Sequence, residues 1–173
     1  MLFSISFWRS LFLLILLAWF PAGPALAWDT YVGRTLDASV VDVPASNIIN
    51  VRDRSGHAIA IRLYGIGVPT SRQPFGNEAH ALLQSILAPG ARVTLTTVNE
   101  AQDGIISALV QAQDRSINNR LVSEGLAWVD RSTCKAFFCR RWHIEEHIAQ
   151  KERRGIWGLN YSTPPWQWGE IGN

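Results

Sequence analysis

Two thiols, two imidazoles and a run of cations in the C-terminal part of the chain are the groups best spaced for chemistry. Cys134 and Cys139 stand five residues apart. In an oxidising compartment a pair this close can seal a small loop, whereas as metal ligands two thiolates need further Cys or His partners. His143 and His147, four apart on a predicted helix, are the nearby candidates for that second role, and their spacing also describes a solvated helix face. A disulfide is expected, with the histidines unassigned. The cations Arg140-Arg141 and Lys151-Glu152-Arg153-Arg154 could form a nucleic-acid patch, but Glu145, Glu146 and Glu152 interrupt it, which favours a solvated helix face.

The elements that must position these groups begin after a targeting signal. A short n-region with Arg9 precedes an apolar run from Leu11 to Phe20, Pro21, and Ala25-Leu26-Ala27 ahead of Trp28. This pattern predicts a signal peptide over residues 1–27, cleaved after Ala27, and hence a periplasmic or secreted protein with no transmembrane span after cleavage. An uncleaved anchor is the competing expectation, because residues 11–26 carry no charge. Taking 27 from 173 leaves 146 residues, the size of a single domain over residues 28–173. With Arg9 gone, 15 Lys and Arg face 14 Asp and Glu, so net charge alone predicts no affinity for nucleic acid.

Loose alternation predicts a first strand from Tyr31 to Val43. Asn47 to Arg52 and His57 to Tyr64 read as a hairpin about Asp53-Arg54-Ser55-Gly56. Gly65 to Gly76, with its glycines and prolines, reads as loop or turns. A helix follows from Phe75 to Leu87, with Ala79, Leu82, Leu83 and Ile86 on one stripe and Pro89-Gly90 as the stop. Arg92 to Val98 and Ile105 to Ala112 are strands four and five, the latter entered through Asp103-Gly104. Ser116 to Gly125 is a short helix with Ser116 as N-cap. A third helix runs from about Arg140 to Arg153, with an imperfect apolar stripe of Trp142, Ile144, Ile148 and Ala149, and the tail from Thr163 to Trp168 is expected to fold back. This order predicts an α+β fold, a five-stranded OB-type β-barrel with three helices.

Four stretches carry a family likeness: Ile61-Arg62-Leu63-Tyr64-Gly65-Ile66 with Pro69 soon after; Leu121-Val122-Ser123-Glu124-Gly125-Leu126-Ala127-Trp128-Val129; Arg153-Arg154-Gly155-Ile156-Trp157-Gly158; and Pro165-Trp166-Gln167-Trp168. Together the chain resembles the staphylococcal nuclease-like (thermonuclease) family from about Tyr31 to Trp168. The resemblance implies a calcium-dependent phosphodiesterase framework in which carboxylates hold a hard cation, a further carboxylate directs water and two arginines neutralise the phosphate. It also implies where these groups should stand. The family's Val-Asp-Gly-Asp-Thr corresponds to Val43-Pro44-Ala45-Ser46-Asn47, so Ser46 replaces a ligand. The family's Asp-Thr-Pro-Glu corresponds to Gly67-Val68-Pro69-Thr70, so Gly67 and Thr70 replace a ligand and the base. Ile105 stands where the second arginine belongs, and Arg62 alone is retained.

Six tryptophans follow residue 27 (Trp28, Trp128, Trp142, Trp157, Trp166 and Trp168). Aromatic rings can stack on bases, but the resemblance puts Trp128, Trp157 and Trp166 outside the cleft, in packing roles. Arg62 is either a remnant phosphate contact or half of an ion pair with a barrel carboxylate. Of the remaining carboxylates, Asp42 and Asp53 are expected on a barrel strand and at the far hairpin, while Glu78, Glu100 and Asp103 lie further along. The resulting expectation is an exported pseudoenzyme with no cofactor, acting as a binding module for nucleic acid or an envelope protein. The alternatives are a metal-dependent nuclease using calcium and a structural envelope subunit.

Overall fold

A computed structural model describes residues 33–100, 103–160 and 162–168, with Glu100 described in its backbone only. The expected signal peptide and Trp28 lie outside the described residues, and no described helix is long and apolar enough to cross a membrane.

Strands β1 (Thr35–Ala45), β2 (Ile48–Asp53) and β3 (Ala58–Leu63) form an antiparallel meander. The turn between β2 and β3 is held by Asp53, whose carboxylate accepts from the Ser55 and His57 amides at 2.8 and 2.9 Å. Two register shifts lie along β1, between Val40 and Asp42 and between Asp42 and Ala45, and they bend the strand as bulges do. After β3 the chain makes a two-residue strand β4 (Ile66–Gly67), where the sequence reads only as loop, and then enters helix α1 (Gly76–Ile86). Strands β5 (Arg92–Glu100) and β6 (Ile106–Ala112) follow, then the short β7 (Arg115–Ser116) and helix α2 (Ile117–Ser123). The Ser116 side chain accepts from the Asn119 amide at 3.2 Å, the N-cap expected.

The sheet closes on itself. Its order is β3-β2-β1-β5-β6-β7, and β6 also pairs in parallel with β3, Ile61 against Ile106. The interior is filled by alternate residues: Ile49 and Val51 on β2, Ile61 on β3, Leu95 on β5, and Ile106, Ala108 and Val110 on β6, all 0% exposed. Asn118 locks the closure. From inside α2 its side chain accepts from the Val110 amide and donates to the Tyr64 carbonyl, both at 3.0 Å.

The remainder buttresses the barrel. Strand β8 (Trp128–Val129) pairs with β4, helix α3 (Cys139–Lys151) packs on α2, and a 3-10 turn (Gly155–Gly158) leads to the single-turn helix α4 (Pro165–Trp168). The barrel and three main helices are thus those read from the sequence, with α4, the 3-10 turn and three two-residue strands in addition.

Candidate active site

The resemblance places a catalytic centre on four segments: the β1–β2 turn carries Ser46, β3 carries Arg62, β4 carries Gly67, and the loop before α1 carries Thr70. Ser46 is buried at 5% exposure, and its hydroxyl donates to the Pro69 carbonyl at 2.5 Å. That bond ties the turn to the loop across the space that separate side chains would otherwise line. Thr70 is exposed, and its amide donates to the Gln73 side chain at 3.0 Å. The other end of buried Gln73 donates to the Thr163 carbonyl at 3.1 Å, binding this loop to the C-terminal tail.

The tail reaches further, onto Gly67 itself. A Cβ on Gly67 would lie closer than 3.0 Å to the Trp166 ring and 3.2 Å from Cδ of Pro165. The indole therefore occupies the volume that a side chain at position 67 would need. Trp166, expected to pack in the core, is instead half exposed. The ring is 48% exposed and covers the β4 glycine, because the Gln73 anchor turns the tail back across this face.

Arg62 is paired, with a carboxylate in a turn instead of one on a barrel strand. Its guanidinium donates to Asp103 at 2.7 Å, in the segment entering β6. This hydrogen bond holds the Asp103 carboxyl below the ordinary carboxylate range, helped by the Ile105 amide. Two further carboxylates, Asp42 and Asp53, are engaged locally. Asp42 accepts from Asn50 at 2.7 Å on the barrel wall, and Asp53 holds the hairpin turn.

Residues 60–158 match the family described as staphylococcal nuclease homologue. The chain belongs to the staphylococcal nuclease family. It is 29% identical over 150 residues to an Escherichia coli protein named uncharacterized endonuclease, covering 84% of this chain and 88% of that one. A Shigella flexneri protein named micrococcal nuclease is 29% identical over 153 residues, covering 82% of each. A staphylococcal-like nuclease of Arabidopsis thaliana is 28% identical over 108 residues, 62% of this chain and 32% of that protein.

Nucleases of the staphylococcal family generally depend on calcium, a hard cation that takes about 6–8 oxygen ligands. The residues present do not fit one. Ser46 directs its hydroxyl proton at a carbonyl, Gly67 offers no side chain, and the faces above it are the apolar rings of Trp166 and Pro165. Among the described residues, no three His, Cys, Asp or Glu side chains gather as a metal cage.

Two of the motifs that carry the family likeness interlock behind this site. Gly125, at φ 69°, and Gly155, at φ 50°, pack backbone to backbone, and the Ile156 amide donates to the Gly125 carbonyl at 2.9 Å. Trp128 and Trp157 then meet edge to face at 6.2 Å, a packing role as expected for both. Beside them an open cavity of about 520 Å³ is lined by Trp128, Trp157, Trp166 and Arg131. Its floor includes Glu146, a buried carboxylate that accepts from the Val129 amide at 2.8 Å and from Arg131 at 2.9 Å.

Cys134 and Cys139 are bonded to each other. The bridge braces the turn after β3, since a Cβ on Gly65 would lie closer than 3.0 Å to Cys134 Sγ. Loop-closure entropy for so short a ring amounts to about 2 kcal/mol. Reduction, or Cys134→Ser, should therefore lower unfolding free energy in urea by about that amount and leave the barrel folded. Ahead of the bridge lies Asp130. Burial pushes its carboxyl up, but hydrogen bonds from the Ser132 and Thr133 hydroxyls and amides outweigh burial and hold it below the ordinary range. A carboxyl depressed on folding contributes stability that is fully present above its unfolded value and is lost as pH falls through the folded one. Acid titration below about pH 4 should thus destabilise the native chain more steeply than an Asp130→Asn variant, followed by tryptophan fluorescence.

Proposed function

We propose that this chain is an exported nuclease-fold domain that does not hydrolyse phosphodiesters and serves as a binding module, with nucleic acid or an envelope protein as its partner. One observation carries the reading: two of the three positions that the resemblance gives to carboxylates are not merely changed but occupied, Ser46 by its bond to Pro69 and Gly67 by the Trp166 ring. Loss of one transition-state arginine costs on the order of 10³ to 10⁵ in rate, and here the other is engaged by Asp103. Export is supported by the N-terminal signal pattern and by the disulfide, a bond that persists in oxidising compartments.

The test is hydrolysis of single-stranded DNA by the purified chain with calcium, with other divalent ions and with a chelator. No cleavage above background is expected under any of them. The names of the relatives favour the opposing reading, an active metal-dependent nuclease. Chelator-sensitive cleavage that survives purification and disappears in Arg62→Ala would establish that reading and remove this one.

A further inference from the structure

Helix α3 has two apolar faces. Cys139, Trp142, Glu146 and Ala149 point inward and are buried. At about 100° per residue, Ile144 and Ile148 fall on the opposite side, and Phe137 lies just ahead of the helix in the loop closed by the disulfide. These three are exposed by 61%, 36% and 84%. The imperfect stripe of the sequence is therefore two stripes superimposed, only one of which has a partner in the fold.

The cations belong to the outer stripe. Arg140, Arg141, His147 and Lys151 lie on or beside it and are exposed, as is Lys135 in the disulfide loop. The glutamates that interrupt the basic run in the sequence are each engaged by an arginine. Glu146 points inward to Val129 and Arg131, Glu145 sits at the margin against Arg141 at 3.4 Å, and Glu152 pairs with Arg154.

We propose that this outer face of α3 docks on a membrane surface rich in anionic phospholipid headgroups. Exposed apolar side chains ringed by cations are what an interfacial helix presents, the apolar groups entering the acyl boundary and the cations meeting the headgroups. A nucleic acid would satisfy the cations but leave Phe137, Ile144 and Ile148 against a charged backbone, so the lipid surface is the better complement. The surface is separate from the filled nuclease site, and the inference stands whether or not that site is active.

The experiment is co-sedimentation of the full chain with vesicles of phosphatidylcholine alone and of equal parts phosphatidylcholine and phosphatidylglycerol, with single-stranded DNA retention measured in parallel. Preferential binding to the anionic vesicles is expected. Each cation near such a surface is worth roughly fivefold in binding. Arg140→Glu with Arg141→Glu should therefore weaken anionic-vesicle binding by at least roughly 25-fold. Phe137→Ser should weaken it by roughly tenfold through lost apolar burial. All three positions are exposed, so circular dichroism should show the variants folded, and Arg140→Gln with Arg141→Gln provides a milder version of the same loss. Equal binding to both vesicle types, as an apolar N-terminal segment would produce, overturns the proposal. So does unchanged vesicle binding by the variants, or loss of DNA retention in them while vesicle binding persists.

Discussion

Gly125→Ala is expected to lower the melting temperature by about 10 °C. Gly125 sits at φ 69°, where an L side chain costs about 1–2 kcal/mol. The added Cβ would also lie closer than 3.0 Å to the Arg154 carbonyl, a backbone group that a rotamer change cannot move aside. Overpacking of this kind costs a further 1–3 kcal/mol or so. The shift should appear in a thermal scan followed by circular dichroism. Gly56→Ala serves as the contrast: its φ is 89°, but no atom lies within 4 Å of the added methyl, so only the backbone cost applies. Equal losses at the two positions would show that the interlock with Gly155 contributes nothing.

Placing at position 46 the Asp that the resemblance implies for a metal ligand should harm the fold without producing a nuclease. Ser46→Asp puts a carboxylate at a site 5% exposed and facing the Pro69 carbonyl. An uncompensated buried charge costs about 3–5 kcal/mol near neutral pH. Burial raises the folded pKa of such a group above its unfolded value, so the penalty grows as pH rises and shrinks as the group protonates. A protonated Asp could donate to Pro69 as the serine does, and the gap between variant and parent in urea titrations should close toward about pH 4. Gly67→Asp meets a different obstacle, the Trp166 ring. Its cost should fall by about 1–3 kcal/mol in a Trp166→Ala background, a coupling that a double-mutant cycle measures directly. Strict additivity would mean that the indole does not fill this position.

The parts of the fold that were legible are those governed by short-range patterns. Asp53 and Gly56 mark the β2–β3 hairpin, Ser116 marks the start of α2, and the alternation of Ile106, Ala108, Val110 and Ala112 marks β6. What escaped depends on groups distant in sequence. Nothing local in Ile66-Gly67 or Trp128-Val129 says that they pair, since two residues have no period to read. Nothing local to Asn118 marks it out, and only the closed barrel shows that it bridges β6 to the end of β3. At the site, the resemblance marks Ser46, Gly67, Thr70 and Ile105 as the positions to inspect. What surrounds them was not legible, because the groups that fill the space, Pro69 and Trp166, come from a loop and from the far end of the chain. Arg62 illustrates the same limit, as its partner Asp103 is 41 residues away.

The parallel seam between β3 and β6 also governs how the chain acquires its shape. Ile61 can meet Ile106 only after α1 and β5 have been laid down between them, and such long-range closure makes folding slow. Until it happens, β3 and β6 present unpaired edges able to recruit a second chain. Asn118 reaches both sides of that seam, so Asn118→Ala bears on the time the open sheet survives as well as on the stability of the finished barrel, and aggregation during refolding is where the difference would first be seen.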